Sequence, residues 1–347
     1  MTRDDLEAAA ALIRPTVPPT PQYEWPLLSE AVGARVIVKH ENHTPTGAFK
    51  VRGSLTFMDH LTRTRPDVRG IVTATRGNHG QGQAMAATRN GLEAIIVVPE
   101  GNSREKNAAM RAFGATLIEH GEDFDTARLR ADEIAVERNF AFVPPFHPAL
   151  VTGVATYAAE LFTARPEIDT VYVPIGCGSG ICGLIGARDA LGHRAEIVGV
   201  VADGADYAKR SFEAGRPLST PRADTFADGM AVRDPVEAAF AIYGKGAARI
   251  VSVSDDAIAQ AVRLFFATTH NVAEGAGAAP LAALMAEREH QAGKTSAVIL
   301  CGGNIDTAVF AAVLAGKTPV SAVMEAGAWL RNGAINRRRS VAHLSTH

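Results

Sequence analysis

Cysteine is scarce in this chain: Cys177, Cys182 and Cys301 are the only three among 347 residues. Three thiols exclude a disulfide framework, and their spacing is not that of a zinc site, so a reducing, cytoplasmic setting is expected. Net charge is nearly absent too. The 35 basic and 37 acidic side chains leave −2, which removes the electrostatic case for nucleic acid or an anionic membrane as partner. No stretch reaches the roughly 18 uninterrupted apolar residues that a spanning helix needs. The N-terminus lacks a secretory pattern: Asp4, Asp5 and Glu7 precede an alanine-rich run, which reads as a helix start. Internal repeats, coiled-coil heptads and low-complexity tracts are also missing.

What remains is ordinary globular composition, 47% hydrophobic and 21% charged, in a chain long enough for two domains. Residues 1–14 read as a helix. The proline-rich segment 15–21 is extended, because proline fixes φ and donates no hydrogen bond. A short helix at 27–32 leads to a strand at 35–38. Strands follow at 71–75, 94–99, 116–118, 140–143, 171–175, 197–201, 250–253 and 297–300. Helical patterns lie between them, among them one capped by Ser103 that stops at Gly114, and others at 123–138, 152–162, 255–269 and 278–288. Residues 203–250 are less regular and are expected to form long loops. Short apolar runs separated by helices signal open α/β architecture with parallel sheets buried on both faces.

The chemistry centres on Glu41-Asn42-His43-Thr44-Pro45-Thr46-Gly47-Ala48-Phe49-Lys50-Val51-Arg52-Gly53. Pro45 and Gly47 make a turn, and Val51, Leu55, Met58 and Leu61 begin a helical pattern, so Lys50 stands at a helix mouth. Desolvation and the positive end of the helix dipole both disfavour its ammonium form. A neutral amine is a nucleophile, and with a carbonyl cofactor it forms a Schiff base. A surface lysine snorkelling off the helix satisfies the same local pattern.

Gly176-Cys177-Gly178-Ser179-Gly180 lies between a strand and a helix. Glycines let N–H groups converge on an anion at the helix N-terminus, with the Ser179 hydroxyl as a further donor. The spacing Gly178-x-Gly180-x-x-Gly183 also suits a dinucleotide, and tight packing is a third reading. Asn78, after a strand, offers an amide to a ligand or a cap to its own helix. His79 reads as structural and not as a general base. Cys177 and Cys182 read as small buried hydrophobes, and so by itself does Cys301.

The lysine block resembles the pyridoxal-phosphate motif of the serine/threonine dehydratase family, the fold-type II relatives of tryptophan synthase β. The resemblance continues in order through Thr75-Arg76-Gly77-Asn78-His79-Gly80-Gln81, Gly176-Cys177-Gly178-Ser179-Gly180, Ala227-Asp228-Gly229-Met230-Ala231-Val232 and Cys301-Gly302-Gly303-Asn304. It implies two open α/β domains with the site in the cleft between them. The larger, cofactor-binding one would comprise 1–51 and 154–316, the smaller 52–153, with a tail at 317–347. It implies pyridoxal 5'-phosphate on Lys50, its phosphate on Gly176, Cys177, Gly178, Ser179 and Gly180, its 3-oxygen on Asn78 and its ring nitrogen facing Cys301. Thr75, Arg76, Gly77, Asn78 and His79 would hold the substrate carboxylate. A neutral Cys301 leaves the ring nitrogen unprotonated, which suits β-elimination. The implied reaction converts L-threonine or L-serine to a 2-oxo acid and ammonia. Lys50 would take the Cα proton, and the leaving hydroxyl would be protonated through the cofactor phosphate. The implied assembly is a homodimer.

Lys50-Val51-Arg52-Gly53 is the dehydratase form of the motif, not the Lys-Asp-Arg-like form of cysteine or threonine synthases. Elsewhere the chain departs from the family. Val201 and Tyr207 stand where relatives carry acidic cation ligands, so no metal site is expected, although Asp203 and Asp206 lie close by. Gly153-Val154-Ala155-Thr156 replaces a Gly-Gln-Gly-Thr segment. Arg76 stands where racemising relatives have serine, and a guanidinium cannot exchange protons near pH 7. Arg76 could instead pair with a second substrate carboxylate, which would favour 3-hydroxyaspartate. A serine racemase and a nucleotide-dependent oxidoreductase are the competing functions. The length leaves no room for an effector-binding ACT domain, so feedback by isoleucine is not expected. In the tail, Val320, Val323, Met324, Trp329 and Leu330 suit a short helix packed on the body or a partner subunit, and Arg337-Arg338-Arg339 a solvated run.

Overall fold

The computed structural model describes residues 1–320. The expectations for Val323, Met324, Trp329, Leu330 and the Arg337–Arg339 run lie outside the described residues, and Val320 is exposed. Among the described residues ten strands form two sheets. They are β1 (Gln22–Glu24), β2 (Arg35–His40), β3 (Gly70–Ala74), β4 (Glu93–Val98), β5 (Thr116–Glu119), β6 (Ala141–Phe142), β7 (Thr170–Pro174), β8 (Glu196–Ala202), β9 (Arg249–Val253) and β10 (Thr295–Leu300).

The six-stranded sheet runs β1-β2-β10-β7-β8-β9, and the four-stranded sheet β5-β4-β3-β6. Every pairing is parallel except β1 with β2. β10 enters between β2 and β7, with Val298 opposite both Val38 and Tyr172. Strands β2 and β10 are buried along nearly their whole length, as a parallel strand covered by helices on both faces must be. Over the large sheet lies the helix Gly275–Ala286, whose first ten residues are all buried.

Most elements fall where the apolar runs place them. The exceptions have local causes. Residues 203–250 carry the expected long loop, at 215–236, but also contain the helices Tyr207–Ala214 and Glu237–Gly246. Both are short, and the first ends at Gly215 in the left-handed conformation, so neither completes a long apolar period. The helix expected from 152 starts at Pro148, where His147 accepts the Ala149 N–H. The helix expected from 278 starts at Gly275 and carries Pro280 inside it. Strand β1 and the helix Thr307–Leu314 had no sequence expectation at all.

Two helices, Lys50–Thr64 and Pro148–Ala164, link the sheets and cross at close range. A Cβ on Gly53 would lie 2.7 Å from the Leu150 carbonyl oxygen, and one on Gly153 2.4 Å from that of Arg52. Gly153 and Thr156 therefore serve this crossing, Thr156 by accepting from Arg52 at 3.1 Å. The carboxyl ends of β2, β3, β7 and β10 deliver four of the five segments that the sequence singles out, the usual placement of a site in an open α/β fold, while Ala227–Val232 follows no strand.

Candidate active site

Lys50 is the first residue of the helix Lys50–Thr64. The turn before it is stitched to the end of β10: Phe49 N–H donates to the Cys301 carbonyl at 3.0 Å, and Gly303 N–H to the Gly47 carbonyl at 2.9 Å. Two residues further on, Arg52 is fully buried and forked between Glu41 and Glu160, with Nε–Oε2 at 2.8 Å and Nη1–Oε1 at 2.8 Å. Lys39 adds a second cation to Glu160 at 2.6 Å. This neutral cluster of two cations and two carboxylates fixes the first turn that carries Lys50.

The Lys50 amine lies 3.3 Å from Ser179 Oγ. Burial holds its pKa below the ordinary lysine value, against the opposing influence of Cys177, Cys301 and Glu274. Ser179 opens the helix Ser179–Leu191, which no side chain caps. Gly178 ahead of it has φ +95, and a Cβ on Gly176 would lie 2.2 Å from the Gly229 carbonyl oxygen. An uncapped helix start with glycine backbone this closely approached is suited to cradle an anion. Gly183 packs against Ala155, where an added Cβ would sit 3.0 Å from its N.

Asn78 opens the helix Asn78–Arg89 and does not cap it. Its amide is held at both ends: Nδ2 donates to Glu274 Oε1 at 2.7 Å, and Oδ1 accepts from Asn304 Nδ2 at 2.8 Å. Asn304 also donates to the Thr46 carbonyl at 2.8 Å, which ties the group to the lysine turn. In the loop before Asn78, two of the expected carboxylate donors are already engaged. Thr75 N–H continues the ladder to the Val97 carbonyl, and Gly77 N–H donates to Thr75 Oγ1 at 3.1 Å. The cause is that Thr75 directly follows β3 and prolongs its pairing with β4 by one hydrogen bond. The N–H groups of Arg76, Asn78 and His79 have no protein acceptor among the described residues.

The His79 ring is enclosed, its Nε2 without a partner, and burial first and Lys50 second push its pKa down to about 3. It stays neutral at working pH. Cys301 is buried, and burial raises its thiol well above the ordinary value, so it faces the site uncharged. Cys177 is raised for the same reason, against the influence of Lys50. Arg76 is half-buried and forms no ion pair among the described residues.

Sequence reasoning missed Glu274 and Lys106. Glu274 is 8% exposed, and burial raises its pKa to about 7 although Lys106 and Asn78 pull the other way. Its signal in the sequence was a lone acid directly before twelve uncharged residues, GAGAAPLAALMA. Lys106 pairs with Asp228 at 2.6 Å and lines a small cavity of about 50 Å³ with Asp228, Glu274, Asn304 and Asp306. Burial opposes its charge, but Asp228 and Glu274 outweigh it and raise its pKa. Among the described residues no group of three His, Cys, Asp or Glu side chains is placed to hold a metal ion, and no helix is long and apolar enough to cross a membrane.

Fold and site together define an open α/β enzyme with a buried lysine of lowered pKa beside an anion cradle. The family described as pyridoxal-phosphate dependent enzyme matches residues 13–302. The chain belongs to that family, with the fold-type II architecture, and its cofactor is pyridoxal phosphate. It is 34% identical over 290 residues to the L-threonine dehydratase biosynthetic IlvA of Pasteurella multocida, covering 83% of this chain and 56% of that protein. The chain thus spans little more than half the length of that relative. Among solved structures, the threonine deaminase of T.th. superposes with a TM-score of 0.83 at 34% identity, covering 88% of this chain and 99% of the other. Maize serine racemase gives 0.84 at 26% identity, covering 91% and 97%. The residues fit the cofactor: the bare cradle at Gly176 and Gly178 suits a phosphate ester, and the Lys50 amine beside it suits an aldehyde.

Proposed function

We propose that this chain is an ammonia-lyase that converts L-threonine or L-serine to a 2-oxo acid and ammonia. The observation that carries the reading is the buried Lys50 amine, its pKa held below the ordinary lysine value, 3.3 Å from Ser179 in a site whose Cys301 wall is uncharged. Bound pyridoxal phosphate supplies a carbonyl that captures amines and a ring that takes up negative charge from Cα.

The chain's own residues do the rest. Lys50 Nζ holds the cofactor and, as a free amine, accepts the Cα proton; a lowered pKa keeps it ready for both. The Gly176–Gly180 backbone and Ser179 hold the phosphate. Asn78, oriented by Glu274 and Asn304, presents its remaining amide proton to the 3-oxygen. The free N–H groups of Arg76, Asn78 and His79 take the substrate carboxylate at a helix N-terminus. Cys301, a thiol and not a carboxylate, gives the ring nitrogen no negative partner, which favours elimination. Arg76 offers the second face of Cα only a guanidinium, a group of donors that does not act as a proton shuttle.

We infer further that residues 52–153 form the smaller domain. The four-stranded sheet supports this, since β3 to β6 all lie within that range. A cytoplasmic homodimer is the corresponding assembly, supported by exposed Tyr23 on the edge strand β1 and exposed Leu27 just after it.

A panel of L-threonine, L-serine and 3-hydroxyaspartate, read as 2-oxo acid release, tests the activity. Threonine or serine is expected to lead, and Lys50→Ala to release none. Preference for 3-hydroxyaspartate would move the assignment to that substrate. Accumulation of D-serine at a rate matching pyruvate would replace it with racemisation.

A further inference from the structure

The mechanism leaves the buried hydroxyl of Tyr207 unused. Tyr207 is fully buried, at the start of the helix Tyr207–Ala214 that follows β8. Its hydroxyl donates to the Gly176 carbonyl at 2.5 Å. Gly176 is the first residue of the cradle, and the Gly229 carbonyl packs against its other side. The structure contains no cis peptide bond among the described residues. In a trans peptide the C=O and the following N–H point in opposite directions within one plane. Anchoring the Gly176 carbonyl on Tyr207 therefore turns the Cys177 N–H away from Tyr207. That N–H has no protein acceptor among the described residues. Without the phenol the Gly176 carbonyl has no such anchor, and a glycine peptide rotates easily.

We propose that Tyr207 is a positioning residue for the cofactor phosphate: its hydroxyl sets the Gly176–Cys177 peptide so that the Cys177 N–H is presented to the phosphate ester. This rests on the pyridoxal-phosphate reading of the cradle. Burial holds the phenol pKa well above the ordinary tyrosine value, so it remains a donor throughout the working range.

The test is equilibrium dialysis of the full chain against pyridoxal phosphate and, separately, against pyridoxal, which lacks the phosphate. For Tyr207→Phe, pyridoxal phosphate is expected to bind about tenfold more weakly, the worth of one hydrogen bond to a charged group, with pyridoxal unchanged. Tyr172→Phe is the matched control. Its hydroxyl donates to Glu287 at 2.6 Å, away from the cradle, and its loss should alter stability without altering the ratio of the two affinities. Tyr207→His returns an N–H donor and should recover most of the lost selectivity. Equal weakening toward both ligands, or none, in Tyr207→Phe overturns the inference, as does a histidine variant no better than the phenylalanine one. Failure of the unaltered protein to bind pyridoxal phosphate would instead overturn the reading beneath it.

Discussion

A carboxyl group enclosed beside Asn78 is costly to ionise, and Glu274 is that group. Its pKa stands at about 7 in the folded protein, with burial the leading cause, against about 4.3 in an unfolded chain. Between those values the native state binds the extra proton, so Glu274's contribution to stability is full below about pH 4.3 and is lost as pH rises through 7. The loss is on the order of 3 kcal/mol. Glu274→Gln keeps an acceptor for the Asn78 amide and removes the titration. Denaturant unfolding at pH 5 and pH 8 should show the variant gaining on the unaltered protein at the higher pH; a constant difference would mean that Glu274 does not titrate in this window. The lysine and its glycine cradle were legible in the sequence because turn residues and a strand–loop–helix pattern announce them locally. Glu274 was not, because its role depends on Asn78, 196 positions away, and one acid before an apolar run looks like any helix entry.

At the level of elements, the helix Lys50–Thr64 is held by charge as much as by packing. Arg52, Glu41 and Lys39 are all completely buried, and Glu160 nearly so. Arg52 spans both carboxylates, which a shorter or rounder cation cannot do. Arg52→Met should therefore cost about 3–5 kcal/mol, because Glu41 is left as a buried charge without its partner. Chemical denaturation measures this, and a loss below about 1 kcal/mol, as for an exposed pair, would show that the cluster does not anchor the helix. Sequence periodicity located this helix correctly but gave Arg52 only as a motif letter. The reason is that its partners come from a strand end and from the helix Pro148–Ala164, whose own start was read four residues late. Short elements failed similarly: β1 has three residues and gains its place only by pairing with β2.

For the molecule as a whole, the two sheets are joined on one side by the crossing helices and on the other by one helical turn. Ser103 Oγ donates to Asp306 at 2.6 Å, Thr307 N–H and hydroxyl donate to Glu105 at 3.0 and 3.1 Å, and Lys106 pairs with Asp228 at 2.6 Å. All three come from the cap and first turn of the helix Arg104–Ala112. The Lys106 stem also backs the loop at 75–79, since a Cβ on Gly77 would lie 2.9 Å from its Cδ. The same helical turn thus joins the two sheets and shapes that loop. The Asp228 side chain is 37% exposed, so solvent screens the pair and its worth is about 1 kcal/mol rather than that of a buried bridge. Lys106→Met and Asp228→Asn should each raise KM for the amino acid about fivefold, with the double variant no worse than either single one. That non-additivity distinguishes a shared contact from two independent injuries. Faster amide hydrogen exchange at residues 75–79 in both single variants should accompany it, because the loop loses its backing. If the two KM effects multiply in the double variant, Lys106 and Asp228 act separately and the turn at 103–106 is not what shapes that loop.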